Sequence, residues 1–167
     1  PGGLVFINSG LFTAMDKEEE LAGILAHEIS HVSNRHLSDR AGRSTKIGIA
    51  TLAMLAAGIL LGVGGASEVS EAMTIGSMAA GQSLALAYSR EDEMEADTTG
   101  YRYLTDAGYS GKGLLEILKK MRDKQWFGPD DIPTYLMTHP ALEERLSYIG
   151  SRVNESSKTV EKPKKNE

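Results

Sequence analysis

The chain has 167 residues, 41% of them hydrophobic, which is one domain's worth with enough apolar material for a real core. Its 18 basic and 23 acidic residues leave a net charge of -5, a balance that argues against nucleic acid as a partner. No cysteine is present, so disulfides and cysteine-ligated metals are excluded, and a metal would have to be held by histidine and carboxylate. Pro1-Gly2-Gly3 opens the chain without an initiator Met or a basic-then-apolar leader, which reads as a mature or trimmed product.

In chain order, Leu4-Val5-Phe6-Ile7 is a short apolar run entered through glycines and left through Asn8-Ser9-Gly10. That punctuation predicts a single strand. Val5, Phe6, Ile7 and Asn8 would be an edge for an extended peptide substrate to pair with, or one buried strand without substrate contact. Asp16 and Glu19 have capping-box spacing, and helical periodicity follows over 17–37. The 21 residues of 47–67 carry no charge, which meets the length of a membrane span, although glycine and alanine leave the stretch low in bulk. Arg35, Arg40, Arg43 and Lys46 precede it and Glu68 and Glu71 follow; if it spans, this asymmetry puts the 17–37 helix on the cytoplasmic side. A second uncharged stretch, 72–88, is more polar. Together they predict an apolar helical hairpin over 47–88, acting as a lid or touching a membrane. Further helices are expected over 90–107, stopped by Gly108, and over 111–124. Pro140 suits the start of a last helix ending at Gly150. Residues 154–167 are polar and charged and read as a disordered tail.

The motif that carries chemistry is His27-Glu28-Ile29-Ser30-His31. Residues four apart on a helix lie about 40° from one another round the axis, so both imidazoles point to one side. Two such imidazoles can bind one zinc, with Glu28 beside them to act on a water. His36 falls on the opposite side of the same predicted helix and reads as a surface histidine. A tetrahedral catalytic site needs a third protein ligand, and Ser89-Arg90-Glu91-Asp92-Glu93-Met94-Glu95-Ala96-Asp97 offers several carboxylates. Glu93 and Asp97 share a face, but the chemistry does not choose between Glu91, Glu93 and Glu95.

His27-Glu28-x-x-His31 followed by Ser89-Arg90-x-x-Glu93-x-x-Ala96-Asp97 resembles the zinc metallopeptidases of the HtpX and CAAX prenyl protease type, and most of all their soluble periplasmic, BepA-like branch. Pro1-Gly2-Gly3-Leu4-Val5-Phe6-Ile7, Thr138-His139-Pro140 and Glu144-Arg145 agree with it. The resemblance implies a mainly α, α+β, zincin-like metallopeptidase domain over 1–153, with a metal helix, a second helix bearing the Glu ligand and a short edge strand. It selects Glu93 as third zinc ligand with Asp97 in support, and suggests that His139 can switch onto the metal. His139 at a helix N-terminus could instead stabilise an oxyanion, and Arg145 could pair with Asp97 or touch substrate. The implied function is a zinc endopeptidase acting on unfolded or misassembled polypeptides in a bacterial cell envelope, periplasmic, with 47–88 either a lid over the cleft or a membrane contact. A second class is a zinc-containing chaperone or assembly factor with little proteolysis.

Overall fold

The computed structural model describes residues 4, 5, 7, 9–125 and 138–160. It is helical: α1 (Ser9–Thr13), α2 (Glu18–Ser33), α3 (His36–Val63), α4 (Ser67–Asp106), α5 (Lys112–Gln125) and α6 (Leu142–Val160). The described residues fall into two compact units: a body made of the chain up to Asn34 and from Asp92 onward, and a hairpin, Arg35–Glu91.

In the body, Ile24 of α2, Leu104 of α4, Leu114, Ile117, Leu118 and Met121 of α5 and Leu146, Ile149 and Val153 of α6 form the core. Each such side chain contributes about 1.5–3 kcal/mol by leaving water. α2 and α5 meet backbone to backbone. A Cβ on Gly23 would lie 2.8 Å from Leu114 Cα, so even Gly23→Ala drives the two helices apart. The start of α2 is pinned from a distance, because the buried Glu20 accepts from Asp16 N–H (2.8 Å) and lies 2.7 Å from Lys120 Nζ of α5.

Several expectations are corrected here. Asp16 and Glu19 make no capping box: the N-cap is Lys17 without a side-chain bond, and it is Glu20 that reaches back. α2 does not run on to residue 37. Arg35 adopts a left-handed backbone (φ 59°), which breaks the helix and makes His36 the first residue of α3. His36 is therefore not a surface residue on the far side of α2; it is 5% exposed. The predicted 90–107 helix is the last part of a 40-residue helix, since no glycine or proline lies near Ser89-Arg90 to end it. α6 passes through Gly150 and continues to Val160. Buried Val153 and the bonds of Tyr101 Oη to Arg152 O (3.2 Å) and Ser156 Oγ (2.8 Å) hold that extension, so 154–160 is not a disordered tail. Residues 161–167 lie outside the described residues. No strand occurs among the described residues: Val5 and Ile7 belong to no regular element, and Phe6 and Asn8 lie outside the described residues.

In the hairpin, α3 and the first part of α4 run antiparallel, joined through Gly64 and Gly65 (φ 92°). The close approaches of Gly62 to Ser70 and of Gly81 to Thr51 give that register.

Candidate metal centre

α2 supplies the first side of the site. His27 and His31, one turn apart, bring their Nε2 atoms to 3.1 Å of each other. His27 is fully buried and His31 partly so, because the helix turns this stripe away from solvent along with Ile24 and Ser30.

α4 supplies the second side, and a glycine sets its approach. A Cβ on Gly100 would lie 3.1 Å from His27 Cα and from Ala26 O, so the two backbones nearly touch where the metal helix carries its first histidine. Two turns earlier on α4, Glu93 presents Oε2 at 3.4 Å from His27 Nε2 and Oε1 at 3.4 Å from His31 Nε2. Glu91 and Glu95 are exposed, which separates the three carboxylates that chemistry alone left equal. Asp97 Oδ1 lies 2.9 Å from His27 Nδ1. The imidazole thus donates from Nδ1 to Asp97, which turns its Nε2 towards the centre.

The third side comes from the chain around the start of α6. Arg145 is fully buried and forms a fork onto Asp97, donating from Nε to Oδ2 (2.8 Å) and from Nη2 to Oδ1 (2.9 Å). Its Nη1 lies 2.9 Å from Glu93 Oε2, so one guanidinium serves both carboxylates. Of the two expectations for Arg145, pairing with Asp97 holds. Its contact with Glu93 was not anticipated; only the i, i+4 spacing of the two acids hinted at a shared cation. His139 places Nδ1 3.1 Å from both oxygens of Glu93, and Nε2 3.6 Å from Oε1 of Glu28.

Burial works against ionised Glu93, but hydrogen bonds from His139 and His27 and the charge of Arg145 outweigh it and hold its carboxyl well below the usual range. Asp97 is likewise opposed by burial and lowered by Arg145 and His27. For His27, burial and Arg145 favour the neutral ring, but the bonds to Asp97 and Glu93 prevail and raise its pKa.

His27, His31, Glu93 and His139 each offer a ligand atom, all within 4.8 Å of one another, a set that could hold a metal ion. A tetrahedral zinc with bonds of about 2.0–2.1 Å separates its ligands by about 3.3–3.4 Å. The 3.1 Å between the two Nε2 atoms is close to that size, and Glu93 meets the pair with one oxygen at 3.4 Å from each histidine, Oε2 towards His27 and Oε1 towards His31. Gly100 went unnoticed in the sequence. The small-residue pair Ala96 and Gly100, one turn apart on an otherwise polar helix, was its signal.

Residues 1–153 match the profile of peptidase family M48. The chain belongs to that family. M48 is a family of metallopeptidases, and the expected kinship with HtpX and BepA is thereby shown. This M48 chain is 32% identical over 154 residues to the beta-barrel assembly-enhancing protease of Yersinia pestis, covering 92% of the chain and 31% of that protein. It is 30% identical over 175 residues to a protease HtpX homolog of Desulfatibacillum aliphaticivorans, covering 87% of the chain and 54% of the relative. The mitochondrial metalloendopeptidase OMA1 of Arabidopsis thaliana is 26% identical over 149 residues, covering 89% of the chain and 27% of that protein. The chain thus spans about a third of the length of the assembly-enhancing protease it matches. No solved structure matches.

Proposed function

We propose that this M48 chain is the catalytic domain of a zinc-dependent endopeptidase. The observation that carries the reading is the convergence of His27, His31 and Glu93, drawn from α2 and α4, with ligand atoms within 4.8 Å of one another. Two imidazoles and one carboxylate, with no cysteine anywhere in the chain, are the donor set of a catalytic zinc. A bound zinc supplies Lewis-acid chemistry, lowering the pKa of a coordinated water towards about 7 and polarising the scissile carbonyl.

The chain's own residues do the rest. Glu28, one residue after His27 and partly exposed, accepts the proton of the attacking water and passes it to the leaving amine. Asp97 orients His27 through Nδ1, and Arg145 balances the two buried carboxylates so that Glu93 stays an anionic ligand. His139 acts as a fourth donor that closes the site against substrate. Support for this over an oxyanion role comes from Nδ1 lying against Glu93 while Nε2 faces Glu28, which puts the ring between ligand and base.

The substrates we infer are unfolded or misassembled polypeptides of a bacterial cell envelope, by similarity to proteins named for beta-barrel assembly. Casein cleavage by the zinc-loaded chain, with Glu28→Gln alongside, tests the reading. Cleavage by wild type alone supports it. No cleavage by wild type or by His139→Ala, with zinc bound, would leave the chaperone or assembly-factor class.

A further inference from the structure

The metal helix α2 is apolar on two faces. One enters the core, where Ile24 is 1% exposed and joins Leu114 and Leu118. The other carries Leu21, Leu25, Ile29 and Val32, none of which joins the core of the described residues. Leu21 and Leu25 are partly buried, and Ile29 and Val32 are 48% and 47% exposed. A surface helix ordinarily gives such a face to polar side chains. Here the only Asp, Glu, Lys or Arg between Leu21 and Ser33 is Glu28.

Helical geometry sets Glu28 on the border of this patch. At about 100° per residue, Leu21, Val32 and Leu25 lie roughly 20°, 40° and 60° to one side of Glu28, and Ile29 about 100°. His31 and His27 lie roughly 60° and 100° to the other side. Leu25 and Val32 are therefore the i−3 and i+4 neighbours of Glu28, with Ile29 between them. On the polar side, the His139 ring stands 5.4 Å from that of His27 and 5.3 Å from that of His31, and its Nε2 is 3.6 Å from Glu28 Oε1. Glu28 thus divides a cluster of ligand atoms from an aliphatic surface on the same helix.

The reach fits a peptide. From Leu25 to Val32 the helix rises about 10 Å, while an extended peptide advances about 3.3 Å per residue. A peptide whose carbonyl meets the ligand atoms and Glu28 brings the side chain beside that carbonyl within reach of the patch.

We propose that Leu25, Ile29 and Val32 form a specificity subsite that receives a large apolar side chain of the polypeptide substrate next to the scissile bond. This subsite presupposes the endopeptidase reading of the same centre and deepens it by naming the class of residue at which the chain cuts. Three aliphatic side chains offer no donor, acceptor or charge, so a polar side chain seated there loses its hydrogen bonds to water without replacement. Glu28 at the border repels an acidic one. Large apolar residues are mostly inside folded proteins, so a cut that needs one falls on unfolded chains and spares folded ones.

The test starts with mass-spectrometric mapping of the cuts in casein made by the zinc-loaded full chain and by His139→Ala. Leu, Ile, Val, Met or Phe is expected at one of the two positions flanking the cut. Two labelled peptides, identical but for Leu or Ser at one central position, then give two readouts, kcat/KM and binding by fluorescence anisotropy. Ile29→Gln and Val32→Thr nearly keep side-chain size at half-exposed positions. Each should lower the Leu-over-Ser ratio by about tenfold. Val32→Phe, which fills the patch, should move the preference from Leu towards Ala. A purely structural loss lowers both peptides alike, and an unmoved ratio overturns the subsite. Cuts without an apolar preference also overturn it, while the endopeptidase reading stands. No cleavage, with a Leu-over-Ser binding ratio that Ile29→Gln abolishes, overturns the endopeptidase reading and leaves the patch as a seat for apolar side chains. Loss of both cleavage and selective binding sinks both. Dimerisation in solution that Ile29→Gln abolishes, with the ratio unmoved, would make the patch a contact between copies instead.

Discussion

The body and the hairpin place the same kinds of side chain in opposite positions. In the body, Ile24, Leu114, Ile117, Leu118 and Ile149 are at most 1% exposed, and the buried charges Glu20, Glu93, Asp97 and Arg145 have opposite charges beside them. In the hairpin, Leu52, Leu60 and Val63 are exposed, while glycine, serine and threonine occupy the seam. Body burial follows the rule for water: apolar groups go inside, and charge follows only if paired. The described hairpin does not follow that rule: large apolar side chains are exposed on it, and small ones line its seam.

The sharpest way to break the body's half of that comparison is to remove its central cation. Arg145→Met removes the one guanidinium that Glu93 and Asp97 share, leaving these buried carboxylates only their histidine partners, and should cost about 3–5 kcal/mol, measured by urea unfolding. A change below about 1 kcal/mol would mean the pair is solvated in solution. Next in size, Glu28→Gln should lower turnover by about 10²–10⁴-fold with zinc content intact, whereas Glu93→Ala should lose zinc to mild chelation. Equal zinc retention in both would remove Glu93 from the ligand set. His139→Ala should raise cleavage of an unfolded protein by about tenfold, the ratio that about 1.4 kcal/mol of bias towards a closed site produces. A fall instead would assign His139 to the oxyanion.

An effect of similar size, on stability alone, is expected at the start of α2. Lys120→Met strands the buried Glu20 carboxylate and should cost about 1–3 kcal/mol. Burial works against ionised Glu20, but its bonds to Lys120 and to Asp16 N–H leave its pKa below the ordinary glutamate value. The contribution is therefore complete above the unfolded pKa of about 4.3 and is lost as pH falls through the lower folded value. Wild type and Lys120→Met should differ in stability at pH 7 and converge at strongly acid pH. A constant difference across that range would rule out Glu20 as its source.

What the sequence determined by itself was local. The metal helix, the uncharged stretches of the hairpin and the helix over 111–124 rest on spacing within a few turns, and all three reappear as helices in the structure. Only the tertiary structure decided which carboxylate faces the histidines. Glu91, Glu93 and Glu95 differ by rotation about α4, and that rotation is set by Gly100 lying against α2. The same holds for α6, whose last turns are held by Tyr101 from α4, and for Arg145, whose two acids sit about fifty residues upstream. Periodicity records where a side chain points round its own helix. What it meets there depends on a contact between distant segments, which no local pattern encodes.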